Sequence, residues 1–254
     1  MKFSDWRKKL LSIGAALLVW QLAASLVRLE ILFPTPVEVA KALLELVTTR
    51  DFWQTVLFSL LRIAAGFTIA FVLANLLAFP AARHSWLAAL LSPYVVTIKT
   101  VPVASFIILC LIWLRGSSLP TFISFLMVFP LLYTNLLEGI RHTDRKLLEM
   151  AQVFRVPERR RLRYIYLPQV RPYLLSASNV GLGMAWKSGI AAEVIAIVSG
   201  SLGSKLYEAK INLEVPRLLA WTVVIVAASV AMEKLVMALL RLAFRRLCGG
   251  EDRK

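Results

Sequence analysis

Three ionisable side chains, Lys99, Lys187 and Glu193, interrupt long apolar stretches, and their types define the chemistry open to this chain. A charged group carried to membrane depth costs about 2.5–3.5 kcal/mol on insertion scales, so it normally faces a bundle interior or a cavity. Two lysines there suit the wall of a path for an anion. The same three groups would equally serve as structural residues that join helices through ion pairs or hydrogen bonds. Glu193 follows Lys187 by six positions, the wrong spacing for a pair on one helix, so each needs a partner from another element. Catalysis finds less support. The two histidines, His84 and His142, are too few for a His-rich metal site, and no Gly-x-Ser-x-Gly nucleophile elbow is present. Gly181-Leu-Gly-Met-Ala-Trp-Lys187-Ser188 ends in the Lys-Ser of a phosphate loop, but Trp186 stands where that loop needs Gly. The expectation is a chain that is not an enzyme, holds no metal and binds no cofactor of its own.

The elements that must position these groups are set by composition. Of 254 residues, 59% are hydrophobic, and the mean hydropathy is +0.71. Soluble domains are typically roughly 45–50% apolar, so a polytopic membrane protein in a lipid bilayer is expected. A bilayer core needs about 20 apolar residues in helix, and six windows qualify: 10–28, 56–80, 86–114, 119–140, 173–198 and 217–240. The first is too long for a secretory signal core and is read as a retained helix. Net charge is +15. In a soluble chain that would suggest nucleic acid, but here the basic residues flank apolar spans and no nucleic-acid partner is expected. With six crossings, nineteen Lys and Arg fall on the face carrying both termini and residues 141–172, against about seven on the other. The positive-inside rule makes that face, termini included, cytoplasmic.

Residues 149–168 are the longest polar and most basic stretch of the chain. Thr143 and Asp144 supply a helix cap, and Leu147, Leu148, Ala151 and Phe154 recur at helical spacing, so one stripe faces a partner surface. Pro157 disfavours the helical conformation at Val156 and predicts a bend there. Arg159, Arg160, Arg161 and Arg163 could hold phosphates of lipid or nucleic acid, but in a positive-inside loop they read first as a cytoplasmic anchor. Glu149-x-Ala151, Arg155 and Ile165-x-Leu167-Pro168 fall at the offsets of a known signature, Glu-Ala-Ala, three residues, Gly, nine residues, Ile-x-Leu-Pro. The stretch thus resembles the cytoplasmic loop of importer-type ABC transporter permeases. Met150 replaces the second residue and Arg155 the Gly, leaving Pro157 to supply the helix break. Leu60-Leu-Arg-Ile-Ala-Ala-Gly-Phe, Lys99-Thr100-Val101-Pro102 and Ala191-Ala192-Glu193-Val194 are similar to the nitrate, sulfonate and taurine subgroup.

That resemblance implies an all-α polytopic fold of six transmembrane helices, the type I ABC importer permease fold, in a bacterial inner membrane. One domain would span 1–254, with a core at about 55–245 and a coupling loop at 141–172. It also implies a homodimer with a second permease copy, two cytoplasmic ATP-binding subunits that hold the ATP and magnesium, and an extracytoplasmic substrate-binding protein. Glu149, Ala151, Phe154, Arg155, Val156, Pro157, Ile165, Leu167 and Pro168 are the coupling residues so implied; Lys99, Lys187 and Glu193 are the candidate path. The substrate class would be a small anion, with a neutral or heterocyclic solute as the alternative. An ATP-independent carrier is a further alternative, but it has no use for so long an amphipathic loop.

Two other features complete the expectations. Thr35-Pro36-Val37-Glu38 reads as a capping box opening an amphipathic helix on the outer surface. Pro93, Pro102 and Pro130 predict kinks or breaks, while Ala177 with Gly181 and Asn179 with Gly183 predict close helix packing.

Overall fold

The computed structural model describes residues 2–27, 33–114 and 116–248, with side chains from residue 11 to 247, Ile13 aside. Helices are the only regular secondary structure among the described residues, as expected of an all-α fold. The helices are α1 (Lys2–Val27), α2 (Pro36–Val47), α3 (Arg50–Arg83), α4 (Ser85–Thr100), α5 (Val103–Cys110), α6 (Leu119–Arg141), α7 (Arg145–Val153), α8 (Glu158–Arg161), α9 (Leu167–Ile195), α10 (Leu202–Ile211) and α11 (Val215–Cys248). A π-helical turn, Leu162–Tyr166, runs α8 into α9.

α6 is the centre of the bundle, with α3 on one side and α9 on the other. Two thirds of its most apolar window is buried, 67%, against 28% for α3 and 22% for α11. Lipid is as apolar as leucine, so such helices hold together by close backbone approach and interhelical hydrogen bonds. α3 supplies a face of small residues, Gly66, Ala70, Ala74, Ala78 and Ala81, all buried. A Cβ on Gly66 would run into the Thr121 carbonyl, and one on Gly189 would lie 2.6 Å from Ile63 Cγ1 and from Ser124 Oγ. Thr121 Oγ1 donates to Arg62 O at 3.1 Å, and Ser124 Oγ donates to Ala185 O at 3.0 Å. α3, α6 and α9 therefore cross at backbone contact. Of the expected small pairs, Ala177 and Gly181 face this core, whereas Asn179 is exposed and a Cβ on Gly183 would meet nothing within 4 Å.

Among the described residues three helices, α3, α6 and α11, are long and apolar enough to cross a membrane alone. Within the 86–114 window the expected break falls at Pro102, where α4 and α5 meet at 104°. Val101 is extended with ψ 131° and Pro102 has ψ 135°, because a residue before proline is held out of the helical region and proline cannot donate the next helical bond. Pro93 and Pro130, in contrast, lie inside unbroken helices. α9 is continuous over 29 residues but interleaves Ser176, Ser178, Asn179 and Lys187 with its apolar residues. In α1 the described apolar run is Gly14–Leu26.

α2 opens as expected: Glu38 N–H donates to Thr35 Oγ1 at 3.3 Å and Thr35 N–H to Glu38 Oε2 at 2.8 Å. Val39 and Ala42 pack with Ala220 of α11.

Candidate functional site

The ends of α3 mark the two faces of the bundle. At its last turn, Arg83 Nη2 lies 3.1 Å from Glu158 Oε1, which places α8 and the polar loop at that end. Arg163 Nε donates to Leu247 O at 2.9 Å, so α11 finishes on the loop face too. At the first turn of α3, Lys205 Nζ of α10 lies 3.0 Å from Asp51 Oδ2 and 3.7 Å from Glu208 Oε2, marking the far face. The hydrogen bond that Lys205 donates to Asp51 chiefly, with the charges of Glu208 and Asp51, raises the Lys205 pKa above its ordinary 10.5. Stability from this tether is therefore full below pH 10.5 and is lost only as pH climbs through the raised value.

The polar loop is a braced hairpin of helices. Asp144 caps α7 by accepting from Lys146 N–H at 2.8 Å, while its own N–H donates to Gln169 Oε1 at 2.8 Å and ties the loop's two ends together. α7 ends in a left-handed cap at Arg155, φ 48°, with Val156 N–H reaching back to Ala151 O at 2.9 Å. This corrects the expected break: Arg155 itself turns the chain in the conformation that favours Gly, and Pro157 caps the next helix. α9 and α10 end with the same backward bond, at Ile197 and Leu213.

The residues at the signature positions divide by direction. Ala151 and Ile165 are buried, and Val156, Leu167 and Pro168 are half-buried against the bundle. Glu149, Phe154, Arg155 and Pro157 face outward. Phe154 is 74% exposed, Val153 79% and Met150 46%, an apolar end on an otherwise basic loop. Among the described residues Glu149 pairs with Arg145, at 3.2 Å and well exposed, which contributes little.

The three membrane-depth charges are not brought together. Lys99, a turn before the α4–α5 break, is exposed and donates to Thr134 Oγ1 of α6 at 3.1 Å. Lys187 is exposed on α9, one turn after the open Gly183. Glu193 is fully buried. Its Oε2 accepts from Ser59 Oγ of α3 at 2.9 Å and from Gly203 N–H of α10 at 3.1 Å, so its partners come from other helices, as its spacing required. Ser59 Oγ also accepts from Leu202 N–H at 3.0 Å. Glu193 thus pins the first turn of α10 onto α3 and α9. Arg62, one helical turn after Ser59, lays its guanidinium 3.5 Å over the Phe58 ring and turns Nη1 inward beside this cluster. Sequence reasoning missed Ser59, Thr134 and α10; the one available signal was the small capping box of α10, Ser201 with Ser204.

A membrane bundle with a rigid, outward-facing amphipathic hairpin is the architecture of a transport permease. The chain belongs to the family of binding-protein-dependent transport system inner membrane components, whose description matches residues 66–247. Its relatives include permeases named for aliphatic sulfonates, taurine and bicarbonate. It is 27% identical over 198 residues to the putative aliphatic sulfonates transport permease protein SsuC of Bacillus subtilis, covering 77% of this chain and 71% of that one. It is 27% identical over 251 residues to the taurine transport system permease protein TauC of Escherichia coli, covering 95% and 88%. The crystal structure of an amino acid ABC transporter with histidines shares the fold at TM-score 0.58 and 19% identity, over 78% of this chain and 94% of that one. The protein is a multi-pass membrane permease, and its family works with ATP-binding and substrate-binding partners.

Proposed function

We propose that this chain pairs with a second copy of itself and docks two cytoplasmic ATPase subunits through α7, so that closure of the ATPases drives import of a small anion. One observation carries the reading: the apolar end of α7, Met150, Val153 and Phe154, is exposed on a hairpin whose other face is fastened to α3, α9 and α11. An exposed aromatic on a rigid base is the anchor that a partner pocket fills. Rigid fastening also lets a push on α7 reach the membrane helices, provided the ATPase contacts it differently in its open and closed states. ATP and magnesium belong to the partner, and this chain needs no cofactor. The loop face and both termini are read as cytoplasmic from the basic excess. A Cys at Val153 should cross-link to the ATPase in intact membranes, and absence of any adduct from an assembled, transporting complex would overturn the docking.

The anion reading rests on Lys99, exposed beside Thr134, and Lys187, exposed on α9, neither of which is paired with Glu193. The relatives named for sulfonates and taurine carry the same class of substrate. A neutral solute is the second reading, favoured if the lysines serve only to hold helices, as Lys99 holds Thr134.

A further inference from the structure

A cavity of about 740 Å³ opens between the last turns of α3 and α6 and the second arm of the polar loop. Arg83, Arg141 and Arg159 line it against a single carboxylate, Glu158. Phe79, Leu162 and Tyr166 supply apolar wall. We propose that this cavity binds an anionic phospholipid of the loop-side leaflet, the headgroup phosphate held by the arginines and the acyl chains lying along the apolar wall.

Position and chemistry together favour that occupant. The cavity lies where membrane helices give way to the loop, and basic pockets between such helices take anionic headgroups. Its size is that of a ligand site, roughly 300–1,000 Å³. Three guanidiniums outweigh Glu158 and the partial negative charge of two helix C-termini. Docking of the ATPase does not fill it: Leu148 lines the cavity, while Val153 and Phe154 point away from the opposite side of α7. A lipid there would brace the arm that Arg83 holds through Glu158. The proposal depends on the loop face being a membrane boundary, but not on what docks to α7 or on which side is cytoplasmic.

The test is lipid retention by the full-length permease in detergent micelles, with and without its ATPase, read by native mass spectrometry after adding dioleoylphosphatidylglycerol or dioleoylphosphatidylcholine. A basic side chain near an anionic surface is worth about fivefold, so two give a preference for phosphatidylglycerol of roughly 25-fold. Arg141→Gln, which breaks no ion pair seen among the described residues, should lower the preference about fivefold. Arg141→Lys should keep it. Arg160→Gln, in the basic cluster but outside the cavity, should leave it unchanged. Equal retention of the two lipids, or equal loss in Arg141→Gln and Arg160→Gln, would overturn the site. Displacement of the lipid by excess inorganic phosphate would overturn the lipid as occupant in favour of a free anion. Retention is measured without orientation or transport, so a failed docking or cytoplasmic assignment leaves its outcome readable.

Discussion

Ser59 Oγ lies 2.9 Å from Glu193 Oε2 and joins α3 to α9 across 134 positions of sequence. The same hydroxyl accepts Leu202 N–H, and the same carboxylate oxygen accepts Gly203 N–H, so two buried side chains fix where α10 begins. A Cβ at Gly203 would collide with Glu193 Cβ and lie 2.6 Å from Val194 N, backbone that cannot step aside. Gly203→Ala is expected to destabilise the permease by about 1–3 kcal/mol through overpacking. Gly183→Ala, where a Cβ meets nothing within 4 Å, is the control expected to be near neutral. Thermal unfolding of the two variants in the same detergent checks this, and equal midpoints would refute the latch.

Arg155 turns α7 at φ 48°. A side chain costs about 1–2 kcal/mol in that conformation, and the freedom Gly adds to the unfolded chain returns about 0.4–1 kcal/mol of it. Arg155→Gly is therefore expected to tighten the cap by about 0.5–1 kcal/mol, seen as two- to fivefold slower hydrogen exchange at the Val156 amide. Faster exchange would contradict this account of the turn. Loss of ATPase binding with a tightened cap would instead assign the Arg155 side chain an ion pair on the partner.

Lys99→Met and Lys187→Met each remove a cation that the bundle leaves exposed. If each makes a charge-assisted hydrogen bond to a passing anion, worth about 1.5–3 kcal/mol, uptake of a sulfonate by the reconstituted importer falls about 10- to 100-fold in kcat/KM. ATPase co-purification stays intact, because neither residue touches the loop. Normal uptake by both variants and by the double variant would return the lysines to structural roles.

The sequence made the loop legible because polar, basic residues at fixed offsets stand out against an apolar background. The single stripe expected of Leu147, Leu148, Ala151 and Phe154 is divided in the structure, Ala151 buried against the bundle and Phe154 facing out, because helical spacing does not say which residues the bundle claims. Arg155 was visible as the odd residue at the Gly position, but its left-handed turn was not, since Pro157 offered a competing break. Pro102 marked the interruption of 86–114, yet proline sets only that a helix stops, not the 104° that neighbours impose. Glu193 stood out as a costly group. Its purpose stayed hidden because Ser59 lies on another helix and Gly203 contributes only a backbone N–H. α10 has ten residues and no long apolar run, so nothing but its Ser201 and Ser204 capping box announced it.

Phe154→Asp in the assembled importer tests the claim that α7 carries the ATPase's motion into the membrane helices. The side chain is 74% exposed, so the change leaves the permease fold and its thermal midpoint intact. Loss of an aromatic anchor costs about 2 kcal/mol or more at an interface, so ATPase co-purification is predicted to weaken by roughly 30-fold or more, with uptake into proteoliposomes falling to the level without ATP. Full co-purification together with ATP-driven uptake at the unmodified rate would contradict the claim.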